Sequence, residues 1–273
     1  MTFSRREQTF TYAILGVFSL LAIAPIVGIV FTALQSQNAF ANFGTLHGFH
    51  LSNFVDAWRR GHFGRYLLSS AIVVAVVVSV STVLSVMSGY AFGLMRFRGR
   101  EVLFYVLLLG LMIPEEAMIV PLYYDFRDLG LTDTYWALIL PQIGASVAFG
   151  SFWMRAYFRS VPRSVVEAAR IDGASSWFTL WRVLLPLARP AVLTMTVLLF
   201  MWTWNEFLLA LVMVSDEGLR TAPLGLSFFQ GPNLTDLPLL AAAAIIVAAP
   251  VTIIYVFLQR HFIQGMVSGA VKG

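Results

Sequence analysis

The sequence predicts an all-α, polytopic membrane protein with six transmembrane helices. Hydrophobic residues make up 59% of the chain, charged residues make up 12%, and the mean hydropathy is +0.79. An ordinary soluble domain has about 25% charged residues, so these values indicate a chain that lies largely in lipid. A helix needs about 20 consecutive apolar residues to cross the hydrocarbon core. Segments of that length are Tyr12 to Leu34, Leu67 to Leu94, Val102 to Tyr124, Tyr135 to Met154, Pro190 to Val214 and Leu237 to Leu258.

The pattern inside these segments favours helices over a transmembrane β-barrel. Barrel strands alternate apolar and polar residues, because one face meets lipid and the other faces the lumen. Residues 71–78 read Ala-Ile-Val-Val-Ala-Val-Val-Val and are apolar on every side. The sequence therefore predicts one membrane domain of helical spans over residues 12–258.

The basic residues predict which side of the membrane each loop faces, because Arg and Lys near span ends are retained in the cytoplasm. With the N-terminus inside, the cytoplasmic segments are residues 1–11, the loops 95–101 and 155–189 and the tail 259–273, and most arginines lie on that side. We therefore expect both termini in the cytoplasm. The basic residues placed on the opposite side are Arg59, Arg60, Arg65, Arg127 and Arg220.

The predicted loop 155–189 has the pattern of two helices joined by a tight turn. Pro162 suits the start of a helix, where its missing N–H is not needed. Gly173 can adopt the left-handed conformation that ends a helix. Ser175 or Ser176 can then cap a second short helix. We expect a rigid helical hairpin.

The turn of this hairpin has the composition of a protein-docking surface. Small residues let another chain approach closely, and carboxylates offer hydrogen-bond acceptors. The small residues are Ala168, Ala169, Gly173 and Ala174, and the carboxylates are Glu167 and Asp172. The alternative is an amphipathic hairpin that only lies on the membrane surface, and composition leaves both readings open.

These residues also resemble a known family signature. The order and spacing of Val161-Pro162, Glu167-Ala168-Ala169, Asp172-Gly173-Ala174 and Leu185-Pro186-Leu187 are similar to those of the EAA loop of ABC-importer permeases. The segments that resemble the carbohydrate-importer, MalG-like branch are Pro114, Pro121-Leu122-Tyr123, Leu129-Gly130-Leu131, Trp204-Asn205-Glu206-Phe207 and Gly269 to Gly273. The resemblance covers nearly the whole chain. Val165 and Val183 depart from the residues that the family often has at those positions.

The resemblance implies a type I ABC-importer permease fold with divided labour. In such importers the EAA loop seats in a separate cytoplasmic ATPase dimer, which binds ATP and Mg and swings the membrane helices when it closes. The other implied partners are a second, non-identical MalF-like permease and an extracytoplasmic sugar-binding protein, in a bacterial inner membrane. The implied cargo is an oligosaccharide, a disaccharide or a related polyol. The implied ATPase-coupling residues are Glu167, Ala168, Ala169, Asp172, Gly173, Ala174 and Pro186.

Polar residues within the predicted spans suggest a translocation path. A charged residue at the centre of a membrane helix costs roughly 2.5–3.5 kcal/mol on insertion scales, so each one is a functional candidate. The candidates, including side chains able to stack on sugar rings, are Met112, Glu116, Trp202, Trp204, Asn205 and Glu206. The alternative is that hydrogen bonds between helices, or to a partner subunit, satisfy these groups.

Other classes of function fit the sequence less well. A phosphate-binding loop needs a lysine followed by Ser or Thr, whereas the only lysine, Lys272, precedes Gly273, so ATP hydrolysis is expected in other subunits. The chain has no cysteine and 4 scattered histidines, so neither a nucleophilic enzyme, a metal site nor a cofactor of its own is predicted. The alternative function is a secondary transporter or channel for a polar solute. Such carriers usually show internal repeats, which are not evident here.

Overall fold

The all-α prediction is confirmed by a computed structural model, which describes residues 5–36, 49–230 and 236–270, the last eleven of these as backbone only. These residues form helices and no β-strand. Residues 1–4 and 271–273, which belong to the predicted N-terminal segment and tail, lie outside the described residues. The α-helices are α1 (Arg5–Ala33), α2 (Ser52–Arg60), α3 (Phe63–Leu94), α4 (Arg100–Met112), α5 (Glu115–Asp128), α6 (Tyr135–Ser160), α7 (Arg163–Ile171), α8 (Ser176–Phe178), α9 (Leu185–Asn205), α10 (Leu208–Met213), α11 (Ala222–Gly225) and α12 (Leu237–Ala270).

In the described part of the chain, 5 helices are long and apolar enough to cross a membrane, and the bent pair α4 and α5 raises the number to 6 if the pair is one span. Each of them overlaps a segment that hydropathy predicts. The five are α1, α3, α6, Ser176–Asn205 and Leu237–Gln259.

The third predicted span, Val102 to Tyr124, is not one continuous helix. The backbone leaves helical geometry at Ile113, with ψ of 123°, and at Pro114, with ψ of 128°, and α4 and α5 are bent by 96°. The cause is Pro114, because proline has no N–H to donate and disfavours helical geometry in the residue before it. The predicted third span is therefore formed by two helices, α4 and α5, with a break between them.

The fifth predicted span, Pro190 to Val214, differs at both ends. It begins earlier, because α8, the π-helical segment Thr179–Leu184 and α9 follow one another without interruption. The second helix of the predicted hairpin is thus not short but is the start of the helix Ser176–Asn205. At the other end, the chain is non-helical at Glu206 before α10 restarts it.

Pro186 gives a physical reason for the π-helical segment. In a regular α-helix its ring would crowd the carbonyl of Arg182, and that carbonyl would lack a donor. The wider turn instead pairs the Leu185 N–H with the Leu180 carbonyl, five residues earlier. The helix therefore passes Pro186 without a break.

The chain divides into two compact units, Met1–Gly64 with Gly225–Pro250 and Arg65–Leu224 with Val251–Gly273. In the first unit, α1 is exposed over nearly its whole apolar length, as expected of a helix that meets lipid or another chain. The Asn53 side chain of α2 donates to the carbonyls of Ala33 and Gln35 at 2.9 and 2.8 Å. These bonds fix the end of α1 to α2.

In the second unit, small residues bring α3, α6 and α9 into close contact along a small-residue seam. A Cβ added to Gly89 would lie 2.9 Å from the carbonyl carbon of Met154, and one added to Gly150 would lie 3.1 Å from the Met195 sulfur. Two hydroxyl pairs bridge the same helices, Ser88 with Ser151 at 2.5 Å and Thr82 with Thr196 at 3.3 Å. Small residues let membrane helices approach until their backbones touch.

Arg155, close to the end of α6 that leads into α7, contacts both α3 and α4. Its guanidinium pairs with Glu101 of α4, its Nε donates to the Phe92 carbonyl of α3 at 3.3 Å, and it lies 3.7 Å from the centre of the Phe104 ring. Arg155 itself is buried in α6. A buried guanidinium needs such partners, because an unpaired buried charge is costly.

Asp133 fixes the far end of α10. Its backbone adopts a positive φ of 57°, its N–H donates to the Met213 carbonyl at 3.1 Å, and its carboxylate accepts the N–H groups of Ser215 and Asp216. Aspartate tolerates this left-handed geometry better than most residues. The restarted helix α10 is therefore anchored at its end to the loop before α6.

We expect Gly89→Ala to destabilise the folded chain by about 1–3 kcal/mol, because the new methyl group meets backbone that cannot move aside. Gly110→Ala is the matched control, since a Cβ there meets nothing within 4 Å. Reversible unfolding in mixed micelles measures the difference. Equal stability of the two variants would show that the seam is not tightly packed.

Replacing Glu101 by Gln leaves the Arg155 guanidinium without its carboxylate. We expect a larger loss of stability than in the control variant in the same unfolding assay, because the Arg155 side chain is only 10% exposed, although solvent screens the 44% exposed Glu101. The control is Asp128→Asn, which removes an ion pair to Arg127 between side chains that are 52% and 71% exposed. That surface pair contributes under about 1 kcal/mol. A larger loss in the control would contradict this assignment.

Candidate functional site

The first candidate site is the α7–α8 hairpin, formed by α7, the turn 172–175 and α8. The Gly173 N–H donates to the Arg170 carbonyl at 3.0 Å, and the Ala174 N–H donates to the Ala169 carbonyl at 2.9 Å. With φ of 76° at Gly173, this is a Schellman motif, which satisfies carbonyls at a helix end. The Ser175 hydroxyl accepts the Phe178 N–H at 3.2 Å and caps the next helix. These hydrogen bonds hold the turn and make it stiff.

The inner face of the α7–α8 hairpin is part of a hydrophobic core. Val166 and Ala169 of α7 are buried, and Val166 shares a cluster with Leu180 and Leu184 of the π-helical segment and with Phe158 of α6. This packing joins the hairpin to the ends of two membrane helices. A displacement of α7 therefore displaces the start of the long helix with it.

Two side chains of α6 clamp the same long helix beyond Pro186. The Tyr157 hydroxyl donates to the Leu187 carbonyl at 2.7 Å, and the Trp153 indole N–H donates to the Ala191 carbonyl at 3.0 Å. Aromatic side chains with a polar tip are suited to this role, since the ring packs while the tip finds an acceptor. The hairpin, α6 and α9 are thus linked on both sides of the π-helical segment.

The outer face of the hairpin carries most of the predicted coupling residues. Exposed are Glu167, Ala168, Asp172, Gly173 and Pro186, while Ala174 is half-buried and Ala169 is buried. Pro186 lies further along, in the first turn of α9. Ala169 therefore packs the inner face and is not available on the outer one. Their coupling function stays a prediction.

Apolar side chains at the hairpin tip add to this surface and were not among the sequence candidates. Ile171 is 86% exposed, and Trp177 and Phe178 are also exposed. A large apolar side chain in full solvent contact is typical of an interaction site when its neighbours are apolar too. In the sequence, Ile171 is a single apolar residue between Arg170 and Asp172. A single apolar residue in such a helix is ordinarily expected to be buried, so its exposure could not be predicted.

The second candidate site is the Trp202 cavity, a space of about 560 Å³ into which both broken spans open. Leu111 and Glu115 flank the break between α4 and α5, and Asn205 and Glu206 flank the break before α10. Non-helical backbone at membrane depth is tolerated where it lines a cavity. The lining residues are Leu111, Glu115, Gln142, Ala145, Ser146, Phe149, Leu198, Met201, Trp202, Thr203, Asn205 and Glu206.

Half of the predicted path residues line this cavity. Trp202, Asn205 and Glu206 do, whereas Met112, Glu116 and Trp204 are not among its lining residues. Trp204 is buried, and its ring stacks on that of Phe200 at 5.8 Å between centroids. The cavity instead contains Glu115 and Gln142, which sequence reasoning did not select. The translocation role of all these residues stays a prediction.

The polar groups of the cavity are positioned by the helix backbone. The Asn205 amide donates to the Met201 carbonyl at 2.7 Å, and the Gln142 amide donates to the Leu138 carbonyl at 2.8 Å. Glu206 accepts the Leu209 N–H at 2.7 Å and so caps the start of α10. These bonds hold the side chains in defined orientations, as a binding site requires.

One wall of the Trp202 cavity is aromatic. Trp202 is about half exposed, and the Phe149 ring meets it edge-on at 74° with 4.7 Å between centroids. This arrangement is favourable for aromatic pairs and fixes the indole plane. The cavity therefore combines a flat apolar surface with several polar groups, which is the usual composition of a small-molecule site.

Comparison with known proteins places these features in a family. Residues 81–268 match the family described as binding-protein-dependent transport system inner membrane component. The probable ABC transporter permease protein YurM of Bacillus subtilis is 37% identical over 257 residues, covering 93% of this chain and 85% of YurM. The diacetylchitobiose uptake system permease protein NgcG of Streptomyces coelicolor is 31% identical over 268 residues, covering 97% of this chain and 88% of NgcG.

A solved structure agrees with these relatives. A chain of a bacterial ABC transporter involved in the import of the acidic polysaccharide alginate superposes with a TM-score of 0.82 at 26% identity, covering 96% of this chain and 99% of that chain. The resemblance seen in the loop motif is thereby confirmed, and the all-helical architecture is that of an ABC-importer permease. The matched residues include both the α7–α8 hairpin and the Trp202 cavity. This chain therefore belongs to the family of inner membrane components of binding-protein-dependent transport systems.

Proposed function

We propose that this chain is a permease subunit of an ATP-driven, binding-protein-dependent importer for sugars, and that it forms half of the translocation path. The relatives motivate the cargo class, since NgcG belongs to a diacetylchitobiose uptake system and the structural neighbour to an importer of alginate. The single observation that carries the mechanism is the continuous helix Ser176–Asn205, which connects the α7–α8 hairpin to the Trp202 cavity. At about 1.5 Å per residue, its 30 residues extend roughly 45 Å.

This helix is suited to transmit movement because both of its ends are fixed to functional elements. At one end, Leu180 and Leu184 pack against Val166 of the hairpin. At the other end, Trp202 and Asn205 line the cavity directly. A partner that binds the hairpin differently in two states changes the balance between those states by that difference in affinity. A stiff helix then carries the change to the cavity.

In the proposed importer, the topology of this chain and its partner subunits are as follows. The chain has six spans, with α4 and α5 as one broken span, both termini in the cytoplasm, and a type I ABC-importer arrangement in a bacterial inner membrane. A separate ATPase dimer binds ATP and Mg and docks on the exposed face of the α7–α8 hairpin, around Ala168, Ile171 and Asp172. A second, MalF-like permease supplies the other half of the path, and an external sugar-binding protein delivers the cargo. The exposed tip of the hairpin and the open cavity support this assignment.

We expect Gly173→Val to weaken binding of the ATPase subunit, because left-handed geometry strains a β-branched residue by roughly 1–3 kcal/mol. Gly130→Val is the matched control, with φ of 67° against 76° at Gly173 and open space around both positions. Co-purification of the ATPase with the intact complex, and sugar uptake into proteoliposomes, measure the effect. Loss of both in Gly173→Val alone is the expected result. Full ATPase binding and uptake in Gly173→Val would overturn the coupling role of the hairpin.

We expect Trp202→Ala to lower uptake by at least about tenfold, equivalent to ~1.4 kcal/mol, while the ATPase still co-purifies. The reason is the loss of the flat apolar wall on which a sugar ring can lie. Trp136→Ala is the control, because Trp136 is 53% exposed against 52% for Trp202 but does not line the cavity. Similar uptake by the two variants would remove Trp202 from the path.

A further inference from the structure

The charges of the Trp202 cavity are all of one sign. Among its lining residues the ionisable side chains are Glu115 and Glu206, and no Lys, Arg or His is present. One carboxylate stands at each break of the two interrupted spans. Within the described residues, neither glutamate belongs to an ion pair.

The neutral polar groups of the cavity present acceptors as well. The Gln142 amide nitrogen donates one of its N–H groups to the Leu138 carbonyl, and the Asn205 amide nitrogen donates one to the Met201 carbonyl. Gln142 is 7% exposed and lines the cavity, and its only hydrogen bond in the described part of the chain is made by the amide nitrogen. An amide oxygen that faces a cavity can accept a hydrogen bond from a ligand hydroxyl. The cavity wall is therefore complementary to hydroxyl groups.

The aromatic wall adds a third constraint on the ligand. The indole of Trp202, held by Phe149, offers a flat apolar face next to these acceptors. A ligand that fits must present an apolar face on one side and several O–H donors at its edge. Sugar rings have this form, and a negatively charged ring would bring its carboxylate into a cavity that holds two carboxylates and no basic side chain among its lining residues.

We infer that this half of the path takes uncharged, hydroxyl-rich oligosaccharides and rejects uronate oligosaccharides. The inference rests on the proposed function and extends it to a substrate class. Like charges repel more strongly in a protein cavity, where the effective dielectric constant is lower, than in bulk water, and a ligand carboxylate would meet Glu115 and Glu206 without a basic lining residue to pair with. The structural neighbour belongs to a transporter of the acidic polysaccharide alginate, so a shared fold here accompanies cargo of different charge.

The test compares two trisaccharides of equal length, neutral maltotriose and acidic triguluronate, with diacetylchitobiose as a second neutral probe. Equilibrium binding of each radiolabelled sugar to the purified permease–ATPase complex is measured without the external binding protein, so that the membrane site alone selects. We expect at least about tenfold preference for a neutral probe over triguluronate. The double variant Glu115→Gln/Glu206→Gln should reduce that ratio by about tenfold, and glutamine at 206 can still accept the Leu209 N–H.

Glu116→Gln is the matched control, because this neighbouring carboxylate does not line the cavity and should leave the ratio unchanged. Equal or stronger binding of triguluronate by the unmodified complex would overturn the inference, and so would an unchanged ratio in the double variant. If none of the probes binds and the complete complex with its binding protein takes up no sugar, the proposed function itself fails. These results are distinguishable, because the first two require a complex that binds sugar.

Discussion

Backbone groups in an apolar medium must be paired within the chain, and this constraint explains the irregular places in the protein. Proline creates the problem, because it has no N–H to donate. At Pro114 the chain resolves it by breaking the helix, and at Pro186 it resolves it by widening one turn. The break at Pro114 opens onto the Trp202 cavity, whereas the wide turn before Pro186 keeps the helix Ser176–Asn205 continuous. Both functional elements thus follow from how a missing donor is accommodated.

The restarts of the broken helices, at α5 and α10, also place charged residues in the cavity. A carboxylate is favourable near the first turn of a helix, because the unpaired N–H groups there carry partial positive charge. Glu115 occupies that position in α5, and Glu206 caps α10 through Leu209. The side chains that stabilise the restarted helices are therefore also those that line the cavity. In this site, the polarity needed for a hydrophilic solute comes from groups that the fold itself requires.

Sequence reasoning predicted the elements that depend on local chemistry. The turn at Gly173 was predictable because a left-handed residue at a helix end favours glycine, and the helical spans follow from apolar length. It selected Glu116, whereas Glu115 lines the cavity, and it named both Trp202 and Trp204, of which only Trp202 does. Each residue along a helix turns the side chain by roughly 100°, and the facing helix determines which one meets the cavity. The continuity through the π-helical segment also escaped it, since Pro186 and Pro190 are ordinary signals for a helix boundary. The exposure of Ile171 depends on which face of α7 packs, and that is decided by Leu180 and Leu184 far along the chain.

The close seam between α3, α6 and α9 has a consequence for how the subunit can move. Gly89 lets α3 approach the backbone of α6, and Gly150 leaves room for the side chains of Ser85 and Met195, so these helices cannot slide past one another without collision. We therefore expect the three helices to move as a single block, with constant distances between probes placed across them. Rearrangement is then expected in segments outside this block, such as the break at Ile113 between α4 and α5.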